Sequence, residues 1–288
     1  MTLQPRVSRS LKGSADPRKA NGDVQAVSLP QEKFRIMLID THTHLDMLSA
    51  PLEEVFRRAE ENDVTKMIYV GAGDKLEVYQ NVIHVIERYP NVLGAVAFHP
   101  HEADKFQDLK SLEPYLSHPK VVAVGESGLD FYRNWSDSDN QIRLFKNTIG
   151  VAKELRKPLI IHSRSAREKT LEILKQEKAS SVGGVFHCYA EDGEYAKMIA
   201  DLGFKVSFTG VVTFKTAINI VDAVKDIPIT QILIETDSPY MAPMPFRGKE
   251  CEPMHVYYVA KKIAELKGLS LREASEIFAS NTHSLFGI

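Results

Sequence analysis

Two histidines one residue apart, His42 and His44, follow closely on the apolar run Ile36-Met37-Leu38-Ile39. Alternate side chains of an extended backbone point the same way, so the pair leaves a strand end on one side. Two neutral imidazoles aimed at one point suit a divalent metal such as Zn, Mn or Co. Four more residues of metal-binding type stand in the same relation to other apolar runs. They are Glu126 in Gly125-Glu126-Ser127-Gly128, His162 in His162-Ser163-Arg164, His187 after Phe186, and Asp237 in Glu235-Thr236-Asp237. A lone histidine is more often a satisfied core residue than a ligand, and an isolated acid past a strand serves equally well to shape a turn. Six such residues at one relative place in a repeat can converge, which is harder to dismiss.

Together these residues are enough ligand for two divalent ions, with Glu126 placed to bridge both. His42, His44 and Asp237 with Glu126 would serve one ion, and His162 and His187 with Glu126 the other. Two ions about 3.5–4 Å apart clamp the attacking and leaving oxygens of a displacement and lower the pKa of water. Asp237 is also placed to take a proton from the attacking water.

The elements that must position these groups follow from the pattern after Phe34. Short β-rich runs appear at Ile36–Asp40, Lys66–Val70, Val92–Phe98, Val121–Val124, Pro158–Ile161, Gly184–Phe186, Phe204–Phe208 and Gln231–Glu235. Helical spacing separates them over Leu52–Asn62, Lys75–Arg88, Asp139–Leu155, Ala166–Lys178 and Glu191–Asp201, and continues after the last run over Pro253–Leu266 and Leu271–Ala279. Continuous apolar strands alternating with amphipathic helices predict an α/β fold with a parallel sheet covered by helices. Eight such units within about 250 residues fit a single-domain (β/α)8 TIM-type barrel, whose strand ends surround one opening. An open doubly wound sheet is the alternative, but no Gly-rich dinucleotide or P-loop turn follows any of the runs.

Composition sets the outer bounds. The 288 residues are 43% apolar and 26% charged, with a formal net charge of −2. That balance argues against a protein that coats long nucleic acid with a broad basic face. It leaves room for an enzyme that holds a few nucleotides in a local pocket. Cys188 and Cys251 are too few for a disulfide framework, which points to a reducing compartment, the cytoplasm. No apolar run approaches the roughly 18 to 20 residues of a membrane span. Residues 1–34 are rich in Ser, Pro, Gly, Arg and Lys without periodicity, and read as a disordered extension preceding a domain over 35–288. A native arm, an organellar import segment and translation from an upstream start, with Met37 as the functional start, compete to explain it.

The motifs that carry these residues resemble the TatD-related metal-dependent deoxyribonucleases of the amidohydrolase superfamily. The matching pieces are Ile39-Asp40-Thr41-His42-Thr43-His44-Leu45-Asp46, Phe98-His99-Pro100-His101, Gly125-Glu126-Ser127-Gly128-Leu129-Asp130 and Pro158-Leu159-Ile160-Ile161-His162-Ser163-Arg164. They continue with Phe186-His187-Cys188, Glu235-Thr236-Asp237-Ser238-Pro239-Tyr240, Pro243-Met244-Pro245-Phe246-Arg247-Gly248-Lys249 and the closing Asn281-Thr282…Leu285-Phe286-Gly287. The order is unbroken from about Met37 to the end. The resemblance implies that His42, His44, Glu126, His162, His187 and Asp237 hold two divalent ions (Zn, Mn, Mg or Co). It also implies hydrolysis of DNA phosphodiesters, with 3'–5' exonuclease action on single strands or 3' ends. The runner-up on the same barrel is a deacylase acting on a carboxylic ester or amide such as aminoacyl-tRNA.

Two departures from the family pattern, Tyr189-Ala190-Glu191-Asp192 and Glu250-Cys251-Glu252-Pro253, add acidity at loops expected to face substrate. On the substrate side, Arg164 and Arg247 are candidate phosphate contacts because guanidinium binds phosphate bidentately. His99 and His101 are candidates to position a phosphate or protonate a leaving group. Tyr132 and Trp135 are candidates to stack on a base.

Overall fold

Eight parallel strands follow one another around a single sheet in chain order: β1 (Leu38–Thr43), β2 (Val64–Gly71), β3 (Val92–Val96), β4 (Val121–Asp130), β5 (Leu159–Arg164), β6 (Gly184–Phe186), β7 (Phe204–Phe208) and β8 (Ile232–Ile234). The structure, a computed structural model, describes residues 36–106, 108–133 and 135–288. The extension expected over residues 1–34 lies outside them. The sheet closes on itself where β1 meets the segment after β8. Asp237 donates its backbone N–H to His42 O at 2.9 Å, and His44 donates to Ser238 O at 2.9 Å. This is the expected (β/α)8 barrel.

The covering helices are α1 (Leu52–Glu61), α2 (Leu76–Arg88), α3 (Glu113–Leu116), α4 (Ser138–Leu155), α5 (Arg167–Gln176), α6 (Gly193–Asp201), α7 (Ile218–Asp226), α8 (Val256–Lys267) and α9 (Leu271–Phe286). Their starts follow local chemistry. The Asp137 carboxylate accepts the N–H groups of Asp139 and Asn140 at the head of α4, and Ser270 forms a capping box with Glu273 at the head of α9. Strand alternation divides the core into two layers. On β2, Met67 and Tyr69 face the helices, whereas Ile68 and Val70 fill the barrel interior with Ala95, Val122, Ile160, Val185 and Leu233. Phe286, at the end of α9, joins this interior cluster and packs with Leu285 and Ile288. Asn281 holds α9 in place by donating to Ile229 O and Ile232 O, both at 2.8 Å.

Two register irregularities matter for function. The β1–β2 pairing shifts between Asp40 and Thr43, and the β4–β5 pairing shifts between Val124 and Ser127. Each shift brackets a residue of the candidate site, His42 in the first and Glu126 in the second. Bulges re-aim side chains in this way next to active sites.

Several boundaries differ from the sequence reading. β4 does not end near Val124 but continues to Asp130, and β5 continues past Ile161 to Arg164. Pairing with a neighbour extends both strands beyond their apolar runs: Gly128, Leu129 and Asp130 register with His162, Ser163 and Arg164. α7 had no counterpart in the periodicity. It is 9 residues long and lacks a side-chain cap at Ala217, so burial of Ile220, Ala223 and Val224 is what holds it. No helix among the described residues is long and apolar enough to cross a membrane.

Candidate metal centre

The six residues meet at the C-terminal mouth of the barrel around one buried carboxylate. Glu126 presents its two oxygens to two different groups of imidazoles. Oε2 lies 3.4 Å from His42 Nε2 and 3.9 Å from His44 Nε2. Oε1 lies 2.7 Å from His187 Nε2 and 2.8 Å from His162 Nδ1. Asp237 Oδ1 completes the first group, 3.5 Å from His44 Nε2 and 3.9 Å from His42 Nε2. His42 and His44 bring their Nε2 atoms within 3.3 Å of each other, and His162 Nδ1 lies 3.3 Å from His187 Nε2.

Such pairs are crowded for neutral imidazoles, because only one nitrogen of each pair can carry a proton toward the other. A cation between the lone pairs relieves the conflict. Four imidazoles, a split carboxylate and a terminal carboxylate are therefore a donor set that fits two divalent ions. The burial agrees: His42 is 0% exposed and Glu126 3%, and unpaired charge is costly there.

Electrostatics divide the roles further. Burial works against the charge of Glu126, but His187, His99 and His162 around it hold its carboxyl well below the usual carboxylate range. Burial likewise opposes ionisation of Asp237, while His44, His42 and His187 hold it low. His99 goes the other way. Burial brings it down to about 4 despite the pull of Glu126, so it is neutral near pH 7. Its Nδ1 accepts the His101 backbone N–H at 3.2 Å, which leaves the ring proton on Nε2, 3.4 Å from Glu126 Oε1.

A layer of acids lies behind the site, and one of them, Asp130, bonds its imidazoles directly. Asp130 Oδ2 lies 3.2 Å from His162 Nε2 and 2.9 Å from His101 Nε2. Glu235 Oε1 lies 3.7 Å from His187 Nδ1. Asp40, pushed up to about 8 by burial, accepts the Thr236 N–H at 2.9 Å and faces the Thr236 hydroxyl at 2.6 Å. Asp130, Glu235 and Asp40 lie inside the family-like motifs, but no local pattern assigns them a role. The available signal was their position, at or just past the end of an apolar run, the same as that of the six.

The mouth forms a cavity of about 720 Å³ lined by His44, His99, His101, Glu126, Asp130, His162, His187 and Asp237, with Arg164 on its wall. Arg247 is not among the lining residues. Its guanidinium sits 4.5 Å from the Phe214 ring centroid. The extra acids also separate. Glu191 lines the cavity, but Glu250 accepts the Ser49 N–H at 2.9 Å and the Ser49 hydroxyl at 2.6 Å. Glu252 takes two bonds from Arg58, at 2.7 and 3.1 Å.

Residues 39–287 match the family model described as TatD related DNase. The chain belongs to this family. It is 41% identical over 256 residues to "Uncharacterized metal-dependent hydrolase YabD" of Bacillus subtilis (strain 168), a match covering 88% of this chain and 100% of the relative. It is 38% identical over 258 residues to "Uncharacterized metal-dependent hydrolase YcfH" of Escherichia coli (strain K12), covering 88% and 97%. The crystal structure of YJJV, a TatD homolog from Escherichia coli K12, superposes with a TM-score of 0.81 at 29% identity, covering 87% and 98%. Fold and membership together make this TatD-family chain a metal-dependent hydrolase.

Proposed function

We propose that this TatD-family protein is a two-metal phosphodiesterase that removes nucleotides from DNA ends, acting 3' to 5'. The observation that carries the reading is the split of Glu126, with Oε2 toward His42 and His44 and Oε1 toward His162 and His187. In this reading His42, His44 and Asp237 would hold one divalent ion and His162 and His187 the other, with Glu126 shared between them. When bound, such ions would supply Lewis acidity toward water and the phosphoryl oxygens.

The protein's own groups do the rest. Asp237, ionised and 8% exposed, accepts the proton of the attacking water. His99, neutral near pH 7, is placed to donate from Nε2 to a non-bridging phosphoryl oxygen. Arg164 on the wall pairs with a phosphate of the chain. The family described as DNase supports DNA as the polymer, and the local cavity supports an end rather than a long duplex. The free thiols of Cys188 and Cys251 support the cytoplasm as its place of work.

The second reading is a carboxylic ester or amide deacylase, with aminoacyl-tRNA as one substrate. The observation in its favour is the apolar part of the cavity wall, where Met47, Tyr240 and Met241 lie. One experiment separates the two. The metal-loaded protein is given 3'- and 5'-end-labelled single-stranded DNA beside an aminoacyl ester. Stepwise release of labelled nucleotides from 3' ends, lost in Glu126→Ala, is the expected result. Ester cleavage without nucleotide release would reverse the order.

A further inference from the structure

An aromatic ledge rises beside the metal centre on the segment that follows β4. Tyr132 is 60% exposed and Trp135 is 64% exposed, so neither is a packed loop aromatic. Both are flanked by guanidinium groups. Arg164 sits 4.1 Å from the Tyr132 ring centroid, and Arg133 lies 5.5 Å from Trp135 and 5.8 Å from Tyr132. Trp135, Arg133 and Arg164 all line the cavity that holds Glu126 and Asp237.

The ledge is tied to the centre. Asp130 turns Oδ2 to His162 and His101, while its Oδ1 accepts the backbone N–H groups of Tyr132 at 3.0 Å and Arg133 at 2.9 Å. One carboxylate thus sets both a candidate metal ligand and the ledge. The Trp135 ring stands 4.5 Å from the His101 ring, and that ring 6.1 Å from the His162 ring.

Exposed aromatic faces beside cationic groups suit a nucleobase with its phosphate. Stacking accepts any base, and the guanidinium groups take the backbone charge. A base inside a duplex has both faces covered by its neighbours, and the terminal pair of a blunt duplex offers only the outer face of a rigid pair, so an unpaired base fits the ledge best. We propose that Trp135, with Arg133 and with Arg164 seated on the Tyr132 ring, forms a stacking site for the unpaired nucleobase beside the scissile phosphodiester. The assignment rests on the phosphodiesterase reading and adds the base-binding half of the site to it.

Trp135 is the one tryptophan of the chain, so intrinsic fluorescence reads this position directly. The holoenzyme is titrated with phosphorothioate-linked tetradeoxyadenylate, which resists cleavage, with a blunt duplex of the same linkage, and with ribose 5-phosphate, which has no base. Saturable quenching by the single strand is expected, with little from the duplex and none from ribose 5-phosphate. In hydrolysis of single-stranded DNA, Trp135→Ala should raise KM roughly 5- to 100-fold with a smaller change in kcat, and Trp135→Phe should recover most of the loss. Equal quenching by ribose 5-phosphate or by the blunt duplex overturns the ledge. So does DNA cleavage that proceeds with no quenching and an unchanged KM in Trp135→Ala, a result that leaves the phosphodiesterase reading standing. If no DNA is cleaved while the single strand still quenches selectively, the phosphodiesterase reading fails and the base site stands.

Discussion

The backbone N–H of Cys188 donates to Glu235 Oε1 at 2.5 Å, so the residue after His187 is pinned by a carboxylate that is 0% exposed. The other oxygen of Glu235 takes the Ser207 hydroxyl at 2.6 Å. Cys188 is held at a φ of 45°, a left-handed conformation that non-glycine residues adopt mainly where surrounding contacts enforce it. Oε1 is also the oxygen facing His187 Nδ1, the buried ring nitrogen that has no hydrogen-bond partner in the structure. Glu235 is therefore a positioning residue for His187. Glu235→Gln should weaken metal binding by about 10- to 100-fold, the usual cost of losing a group that orients a ligand. Competition against a chromophoric chelator measures this, with circular dichroism as the check on folding. Wild-type affinity in the variant would confine Glu235 to shaping the turn.

If Glu126 bridges, its loss should cost more metal than the loss of a ligand at one end. Elemental analysis of purified variants tests this. His162→Ala should retain the ion held by His42, His44 and Asp237, whereas Glu126→Ala should lower occupancy on both sides. Equal stoichiometry in the two variants would contradict the bridging role.

The strand order, the barrel and the convergence of six residues were legible because apolar runs and the residues that end them are local patterns. Long-range pairing was less visible. Gly125-Glu126-Ser127-Gly128 lies past the apolar run Val121–Val124, yet β4 runs through it because β5 supplies the partner backbone. The fate of Arg247 was hidden for a similar reason: its neighbour Phe214 lies 33 positions away in the chain, and no local rule joins them. Glu250 and Glu252, expected over substrate, find Ser49 and Arg58 instead. A charged side chain in a sequence carries no record of which partner will reach it first.

Gly128 shows how closely β4 and β5 approach at the site. A Cβ built there would lie 2.0 Å from His162 O, and the backbone φ is +146°. Backbone cannot yield cheaply, so Gly128→Ala must push β5 away and carry His162 with it. The expected destabilisation is about 1–3 kcal/mol or more, read from urea midpoints. Metal affinity should fall along with it. A stable Gly128→Ala with intact metal binding would mean that the two strands can separate without disturbing His162.

Ions that bind only the folded centre must also stabilise the fold. With free metal at 100 times the dissociation constant the gain is about 2.7 kcal/mol, or about 5–10 °C in Tm for a domain of this size. Thermal scans with and without a chelator should show that drop, and restoring the ion should reverse it. No change in Tm on chelation would argue against ions held by the buried imidazoles.

His255 offers a test of acid sensitivity away from the centre. It is 4% exposed, its Nδ1 accepts the Glu252 N–H at 2.9 Å, and its Nε2 has no hydrogen-bond partner in the structure. Burial holds its pKa below the ordinary value of 6.5, against the pull of Glu252. The folded chain thus keeps the ring neutral at pH values where the unfolded chain already takes up a proton. The unfolded state then binds more protons, so stability is full above about pH 6.5 and falls as pH drops toward the folded pKa. His255→Gln removes this source of acid sensitivity. It should be less stable than wild type near pH 7.5, and the gap in urea midpoint should narrow toward pH 5.5. A gap that stays constant across that range would show that His255 does not couple folding to protons.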